Sequence, residues 1–220
     1  MNVKLVSATK PLINGLETPE EVISYTARVS NPTNQLNTVT APKLLNYCIK
    51  HKHWSIFEMA DMCVEIKTSR AIAAQILRHR SFSFQEFSQR YSNVNNIEPI
   101  ELRKQAESNR QSSEEVITDP VIKNVVKLAI DHAVSTYNKL IKSGVAREVA
   151  RFVLPLASES TLYMKGPIRS WLSFLNVRLI DDTQKEHRLI AKEIAQIITR
   201  EFPTVAEACD YFNDYKGNFM

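Results

Sequence analysis

Glycine is scarce in this chain of 220 residues: only four occur, and no two of them lie close together. Gly-rich loops that cradle phosphates, and the fingerprint of dinucleotide-binding folds, need several glycines within a few residues because the backbone must approach the ligand closely. The sequence therefore excludes nucleotide binding of the Walker and Rossmann types.

Cysteine is also scarce, and the three that occur are Cys48, Cys63 and Cys209. Their odd number and the lack of a Cys-x-x-Cys spacing argue against a disulfide framework and against a structural zinc site. We expect the three cysteines to be inert core residues, no metal ion to be bound, and the protein to work in the reducing cytoplasm.

Long apolar runs and a strong net charge are missing as well. No stretch approaches 18 apolar residues and the first ten residues contain no apolar signal segment, so we expect neither secretion by that route nor a membrane span. The net charge of +4 permits anionic ligands without the large basic excess of a dedicated nucleic-acid-binding protein. A hydrophobic content of 44% excludes intrinsic disorder.

Hydrophobic patterning predicts helices and strands in one domain. The chain is shorter than the size at which cores divide, so we expect a single domain over residues 1–220. Alternation predicts strands over 3–7 and 59–67, and helical spacing predicts helices over about 19–30, 41–50, 69–80, 120–142, 146–154, 168–178 and 184–201. The apolar stripe of the longest helix should face the core. The expected class is α+β: a mostly helical domain packed on a small, mainly antiparallel sheet.

Local signals refine these boundaries. Thr18 and Glu21 form a capping box at the start of the first helix. Thr68 is expected to cap the third helix, which ends in the cationic residues 78–80, where positive charge suits the negative end of the helix dipole. The polar stretch 81–117 is too long for an ordinary connection and predicts a functional loop region.

One segment concentrates groups that bind anions. The triplet Arg-His-Arg at residues 78–80 is followed, after seven residues, by Ser88, with Glu86 and Arg90 nearby. Guanidinium forks match the oxygens of phosphates and carboxylates. A solvated basic helix end explains the same residues, and the spacing alone leaves both interpretations open.

The same residues resemble the signature of a known family, the flavin-dependent thymidylate synthases, which need no catalytic cysteine. The similarity runs from about residue 24 to residue 186. Besides the triplet and Ser88, it includes residues 27–30, His53, Ser55, Phe57, Glu58, Gln75, Glu86, residues 90–92, 143–148, Arg151, 154–156, 168–170 and 176–178.

The resemblance implies a methyltransferase that converts dUMP to dTMP. Members of the family take the carbon from methylenetetrahydrofolate and the electrons from FAD that NADPH has reduced. The resemblance also implies a homotetramer in which residues of several subunits form each active site. The implied partners are therefore dUMP and further copies of the chain, with no nucleic acid and no membrane.

The resemblance also assigns residues to ligands. Arg178 would be catalytic, because it would hold the uracil ring and stabilise negative charge on it so that carbon 5 becomes nucleophilic. The residues implied for dUMP are Gln75, Arg78, Glu86, Ser88, Gln89, Arg90, Arg147 and Arg178. The residues implied for FAD are Ser30, His53, Ser55, Arg78, His79, Arg80, Glu86, Arg169 and Ser173.

A covalent mechanism is the first alternative. Ser88 or a cysteine could act as a nucleophile, but a serine needs a base within hydrogen-bond reach, and its neighbours in the sequence are guanidinium and carboxylate groups better suited to binding. None of the cysteines lies in a motif of the family. A methyl transfer without an enzyme thiolate must take its reducing power from a cofactor.

The alternative from another class is a module that binds single-stranded nucleic acid. Four arginines alternate with aromatic residues and could line a stacking groove: Arg78, Arg80, Arg90 and Arg103 with Phe82, Phe84, Phe87 and Tyr91. Steep salt dependence of strand binding would favour it. The phenylalanines can instead be anchors packed into the core or a subunit interface.

Several positions depart from the family pattern or lie outside it. Many members carry Asn where this chain has Gln85, Pro167 and Ser173, and His where it has Asp182. Trp54, beside His53, could stack on a ring ligand. The remaining expectations are structural or solvated roles for His132 and His187, and a solvated loop or a folate or NADPH contact for residues 109–113.

Overall fold

The computed structural model describes residues 1–93, 96–107 and 109–209. Its strands are β1 Asn2–Ala8, β2 Asp61–Ser69, β3 Ser83–Glu86, β4 Arg103–Gln105, β5 Ser113–Val116 and β6 Glu159–Pro167. Its α-helices are α1 Pro19–Ala27, α2 Ala41–Lys50, α3 Arg70–Ile76, α4 Pro120–Lys142, α5 Arg147–Ala150, α6 Ile168–Arg178, α7 Lys185–Glu201 and α8 Pro203–Ala208. Short 3-10 turns cover Pro32–Asn34, Trp54–Glu58 and Arg151–Val153.

The protein is about 48% helical and carries two small sheets. The larger sheet has the strand order β1-β2-β6-β3. In the smaller sheet β4 pairs antiparallel with β5, with Arg103 opposite Val116 and Gln105 opposite Ser113. Burial alternates along β2 as the period-two pattern predicts, because Met62, Val64 and Ile66 are fully buried. The predicted α+β class is confirmed.

The chain divides into two compact units. The first unit contains Met1, Lys67–Arg78 and Gln85–Leu162. The second unit contains Asn2–Ile66, His79–Phe84 and the described part of Tyr163–Met220. The expectation of one domain over residues 1–220 stays a prediction, and its last residues, 210–220, lie outside the described part of the chain.

Helix α1 begins as the capping box predicts. The Glu21 N–H donates to Thr18 Oγ1 at 3.2 Å, and the Thr18 N–H donates to the Glu21 carboxylate at 3.0 Å. The helix ends at Ala27, three residues before the predicted end. Arg28 follows it and turns inward, donating to the Asn37 carbonyl and to Thr40 Oγ1. The buried guanidinium of Arg28 thereby braces the loop that follows α1.

The predicted start and end of α3 are both wrong. Thr68 lies in β2, and the N-cap residue is Ser69, whose side chain makes no capping bond. The N–H groups of Arg70 and Ala71 in the first turn instead donate to backbone carbonyls at 2.9 and 3.1 Å. The helix ends at Ile76, so residues 78–80 lie in the turn beyond it and not in its last turn.

The polar stretch 81–117 is not one loop, because β3, β4 and β5 lie within it. These strands are short and polar, so they lack the alternation that marks a half-buried strand. Strand β6 and helix α8 were not predicted either. In β6 the signal was present: Leu162 and Met164 are fully buried and alternate with the exposed Tyr163 and Lys165.

Helix α4 has its predicted bounds, with Asp119 accepting the Val121 N–H at 2.8 Å and Gly144 in the left-handed region (φ +84°) beyond its end. Its predicted apolar stripe, formed by Val126, Ile130, Val134, Tyr137 and Ile141, faces inward as expected, because Tyr137 is buried and the other four are half-buried. A second row of apolar side chains near the start of the helix does not. Val121, Val125 and Leu128 are 69%, 61% and 59% exposed. None of the helices in the described part of the chain is long and apolar enough to cross a lipid bilayer.

The core of the second unit anchors the segment that follows the cationic triplet. The Trp171 indole donates from Nε1 to the carbonyl of Gly166 at 3.0 Å, and the Phe82 ring packs edge-on to it at a centroid distance of 4.6 Å. A side chain at Gly166 would place its Cβ 2.5 Å from Phe82 Cδ1. Glycine at position 166 is therefore what allows Phe82 to pack there.

Candidate functional site

The residues implied for dUMP are grouped in the first unit, apart from Arg178. Arg90 and Arg147 lie near each other, because Arg90 contacts the carboxylate of Glu148 at 3.5 Å. Arg147 donates from Nε to Asn93 Oδ1 at 2.9 Å. Both arginines are exposed, and such ion pairs contribute little stability in water. Their guanidinium groups can therefore turn to a phosphate at small cost.

Ser88, Gln89 and Arg90 form the turn that follows β3. The Arg90 N–H donates to Ser88 Oγ at 3.3 Å, and the Tyr91 N–H donates to the Ser88 carbonyl at 3.1 Å. The Ser88 hydroxyl thus contacts backbone, whereas a nucleophilic serine would contact a side-chain base. Gln89 is buried in this turn. The arrangement favours binding by Ser88 over covalent catalysis.

Glu86 lies at the end of β3 and is engaged by two residues that sequence reasoning missed. Arg70, the first residue of α3, forms an ion pair with Glu86 Oε1. The hydroxyl of Ser160, on β6, donates to the same oxygen at 2.9 Å. These two donors hold the carboxylate in place. Arg70 and Ser160 lie 16 and 74 positions from Glu86 in the sequence, so no local sequence pattern reveals these contacts.

The triplet 78–80 alternates in exposure: Arg78 and Arg80 are exposed, whereas His79 between them is half-buried. The Phe82 N–H donates to the carbonyl of His79 at 3.3 Å and closes the turn. The two arginines therefore project into solvent, where they can meet an anion. The histidine faces the interior of the second unit.

Arg178, the last residue of α6, contacts this histidine within the second unit. Its Nε donates to Nε2 of His79 at 3.0 Å. Burial, and then the charge of Arg178, lower the pKa of His79. His187, on the first turn of α7, is fully buried with its ring centroid 6.1 Å from that of His79, and burial first of all lowers its pKa to about 3. Both imidazoles are neutral at physiological pH.

A pocket of about 380 Å³ lies along α6 in the second unit, lined by Trp54, Arg169, Leu172, Ser173 and Asn176. Two of the residues implied for FAD, Arg169 and Ser173, are in this lining. Arg169 also pairs with Glu58 at 2.9 Å. An indole wall, an aliphatic side chain and three polar groups suit a planar ring that carries polar substituents.

The other residues implied for FAD lie outside this pocket lining. Ser30 is exposed in the turn after α1, and Ser55 is exposed in the 3-10 turn that also contains Trp54. His53, next to Trp54, is exposed, with its ring centroid 5.9 Å from that of Tyr47. Arg80 is exposed as well. Their roles stay predictions.

The positions that depart from the family pattern are spread over several elements, and Ser173 among them lines the pocket. Pro167 is the N-cap residue of α6, and Gln85 and Asp182 are exposed. In the loop 109–113, Arg110 and Gln111 are exposed, while Gln105 donates to the Asn109 and Ser112 carbonyls at 3.2 and 2.9 Å. A folate or NADPH contact by this loop stays a prediction.

The three cysteines lie in the interior or are partly covered by other residues. Cys48 and Cys209 are buried and Cys63 is half-buried. Burial raises the pKa of the thiols of Cys48 and Cys63. Within the described ranges, no group of three or more His, Cys, Asp and Glu side chains is placed to hold a metal ion.

The aromatic residues of the nucleic-acid alternative do not form one exposed row. Phe82 packs against Trp171 and Phe174, and Phe84 lies 6.3 Å from Phe82 between ring centroids. Phe87 is half-buried, and Tyr91 alone of the four is largely exposed, at 85%. The three phenylalanines are thus better described as packing anchors than as stacking platforms.

Two pocket residues that sequence reasoning missed were within its reach. Leu172 and Asn176 lie three and seven positions after Arg169. Because α6 was predicted with its observed bounds, helical spacing places both residues on the face of Arg169 and Ser173. His187 was assigned a structural or solvated role, and its complete burial excludes the solvated one.

The fold and the described residues define a class of protein: an α+β protein with exposed guanidinium groups in the first unit and an indole-walled pocket in the second. Comparisons with known proteins agree. The sequence model of the family "Thymidylate synthase complementing protein" matches residues 11–204. A probable flavin-dependent thymidylate synthase of Paramecium bursaria Chlorella virus 1 is 48% identical over 216 residues, covering 96% of this chain and all of that protein.

Two further comparisons extend this result. The flavin-dependent thymidylate synthase of a Synechocystis strain is 46% identical over 217 residues, covering 96% of this chain and 100% of that protein. The crystal structure of the UMP/dUMP methylase PolB from Streptomyces cacaoi, bound with 5-Br dUMP, superposes with a TM-score of 0.81 at 25% identity, covering 96% of this chain and 95% of that one. The chain therefore belongs to the flavin-dependent thymidylate synthase family, which confirms the resemblance of its motifs.

Proposed function

We propose that this protein is a methyltransferase that converts dUMP to dTMP, with methylenetetrahydrofolate as the carbon donor and FAD reduced by NADPH as the hydride source. One observation carries the proposal: α6 presents Arg169, Ser173 and Asn176 to an indole-walled pocket and ends in Arg178, whose Nε is held by His79. A single rigid helix thus serves both the flavin pocket and the pyrimidine.

The nucleotide phosphate is assigned to the exposed arginines of the first unit. Arg90 and Arg147 already lie near each other, and Arg78 projects into solvent from the turn after α3. The remaining members of this binding set are Gln75, Glu86, Ser88 and Gln89. Two negative charges on a phosphate are matched by several guanidinium forks and a hydroxyl donor, which is the usual way proteins bind this group.

Arg178 is assigned to the uracil ring. A guanidinium beside the ring stabilises the negative charge that develops when the 5,6 double bond acts as a carbon nucleophile. Carbon 5 then exchanges its hydrogen for a methyl group, built from the methylene carbon of the folate and one hydride. Because NADPH supplies the hydride, the folate leaves as tetrahydrofolate and the nicotinamide as NADP⁺.

The pocket residues fit a flavin. Trp54 can stack on a planar ring, Arg169 can neutralise a phosphate or a ring carbonyl, and Ser173 and Asn176 can form directional hydrogen bonds. The further residues assigned to the cofactor are Ser30, His53, Ser55, Arg78, His79, Arg80 and Glu86. A flavin bound there supplies two-electron reduction, and the protein residues bind it, orient it and exclude water.

The assembly is assigned as a homotetramer of single-domain subunits with shared active sites, working in the cytoplasm. Contiguous exposed apolar surface is unusual on a monomer. The first half of α4 exposes Val121, Val125 and Leu128, and Phe152 in the same unit is 78% exposed. A second copy of the chain that covers these side chains would remove them from water.

The test is reconstitution of the purified full-length chain. We expect yellow protein whose visible flavin absorbance bleaches on addition of NADPH, dTMP formation that requires dUMP, methylenetetrahydrofolate and NADPH together, and a tetramer by light scattering. Arg200→Ala is the control for arginine variants of the site and should behave like the unchanged protein. It removes an exposed arginine that forms an ion pair with the adjacent Glu201 at 2.7 Å. Colourless protein that cannot be loaded with FAD would contradict the proposal.

A further inference from the structure

The contact between Arg178 and His79 fixes the chemical state of the histidine. The guanidinium Nε carries a hydrogen at every pH at which proteins are folded, so it is the donor. His79 Nε2, 3.0 Å away, must therefore offer a lone pair. This requires a neutral imidazole whose hydrogen is on Nδ1.

The surroundings of His79 maintain that state. Its ring packs edge-on against Phe174, with centroids 4.9 Å apart, and lies 6.1 Å from the fully buried ring of His187. Burial is the largest cause that lowers the pKa of both imidazoles. Among the described residues, the groups whose charges lower the pKa of these imidazoles further include Arg178 at the end of α6 and, for His187 at the start of α7, His79 in the turn after α3. All three belong to the second unit.

We propose that neutral His79, supported by the buried His187, is a positioning residue for Arg178. Because the contact uses Nε, the forked edge with Nη1 and Nη2 is the part of the guanidinium that we assign to the uracil. The inference rests on the proposed function in one respect only, namely that Arg178 meets the pyrimidine. It adds a second role to His79, which has been assigned to the flavin.

The structure also distinguishes this role from simple packing. A ring that only fills space could be replaced by any side chain of similar size. A ring that positions Arg178 must present an acceptor at Nε2, and misplacement of a catalytic group by about 1 Å can cost about 100-fold in rate. The difference between the two roles is therefore the acceptor, which can be varied separately.

Two variants of His79 test the acceptor. His79→Gln keeps a side-chain oxygen that can accept from Arg178, whereas His79→Leu does not, and both lose the imidazole contact to the flavin equally. With activity divided by bound flavin, we expect kcat of the leucine variant to fall at least about tenfold below that of the glutamine variant, with KM for dUMP changing less. Equal losses of kcat in the two variants would overturn the proposal.

The pH profile provides a second readout. Protonation of His79 removes the acceptor and places a cation beside Arg178. Since the pKa of His79 is lowered from its ordinary value near 6.5, we expect an acid limb in kcat below that pH. The limb should be missing in His79→Gln and retained in His132→Gln, which removes an exposed imidazole on α4. The same limb in His79→Gln would contradict the role.

A third measurement does not depend on activity. In nitrogen-15 spectra of the histidine side chains at neutral pH, the signals that disappear in His79→Gln should report a neutral ring with its hydrogen on Nδ1. A charged ring, or a hydrogen on Nε2, would overturn the proposal even if dTMP forms. The expected tautomer in a protein that makes no dTMP would instead refute the proposed function and leave the positioning contact in place.

Discussion

The arginines of the two units differ in how they are held. Arg90 and Arg147 in the first unit are exposed, and their neighbours are a carboxylate at 3.5 Å and an amide oxygen at 2.9 Å. Arg178 in the second unit is half-buried and rests on a neutral imidazole. The exposed pair can adapt to a mobile phosphate, whereas Arg178 has a preset orientation.

This difference predicts which kinetic constant each group controls. Exposed charges act through water and salt, so they contribute to capture of the nucleotide and appear in KM. A group that is oriented before the substrate arrives costs no reorganisation in the transition state, so it appears in kcat. Substitutions in the two sets therefore separate binding from chemistry.

The largest effect is expected for Arg178→Ala. Loss of one preorganised donor to developing negative charge typically lowers kcat by about 100- to 1,000-fold. The flavin content should stay near that of the unchanged protein, because the assigned partner of Arg178 is the uracil. Single-turnover rates of dTMP formation, together with the flavin absorbance, measure both quantities. Full dTMP formation by the variant would remove the assignment.

Arg70→Met is expected to act on stability. The substitution leaves the partly buried Glu86 carboxylate without its cation. We expect the free energy of unfolding to fall by about 2 kcal/mol. This value is below the cost of breaking a fully buried ion pair, because both side chains retain some exposure. The double variant Arg70→Met, Glu86→Gln should recover part of this loss. Lys104→Met, which breaks an exposed pair with Glu115, is the control and should leave the denaturant midpoint unchanged. A midpoint for Arg70→Met equal to this control would contradict the prediction.

Arg90→Ala is expected to weaken dUMP capture. We expect KM for dUMP to rise about tenfold with kcat nearly unchanged, because a charge-assisted contact to phosphate is worth about 1.4 kcal/mol or more. The dependence of KM on salt should also become shallower, since one exposed cation is gone. A fall in kcat with constant KM would assign Arg90 the same role as Arg178 and would contradict the distinction between the arginines of the two units.

The smallest effect is expected for Ser88→Ala. The hydroxyl contributes one neutral donor to the phosphate, worth about 1 kcal/mol, so KM for dUMP should rise about fivefold while turnover continues. Isothermal titration with dUMP checks the binding term separately. Complete loss of activity at unchanged dUMP affinity would restore the covalent interpretation of Ser88.

Much of the helical framework was predictable because its signals are local. The apolar spacing of α4, α6 and α7 lies within the helices themselves, and their observed bounds differ from the predicted ones by at most one residue. The strands β3, β4 and β5 were not predictable in this way. They are short and polar, so they show no alternation, and β3 in addition pairs with the distant strand β6.

The candidate site divides in the same manner. The helical face formed by Arg169, Ser173 and Asn176 follows from spacing alone. The contact of Arg70 with Glu86 and the position of His187 beside His79 depend on tertiary packing between elements distant in sequence. Motif resemblance assigned Arg178 and His79 to different ligands, and it could not show that one donates a hydrogen bond to the other.

The missing side chain at position 166 has a consequence for evolution. No positive φ requires glycine there. The atoms nearest to the place of a methyl group all belong to the ring of Phe82. A selection from a library randomised at this codon should therefore return glycine almost alone, and alanine should be accepted only when position 82 is randomised too and yields a smaller residue. Substitutions at positions 82 and 166 are therefore expected to occur together.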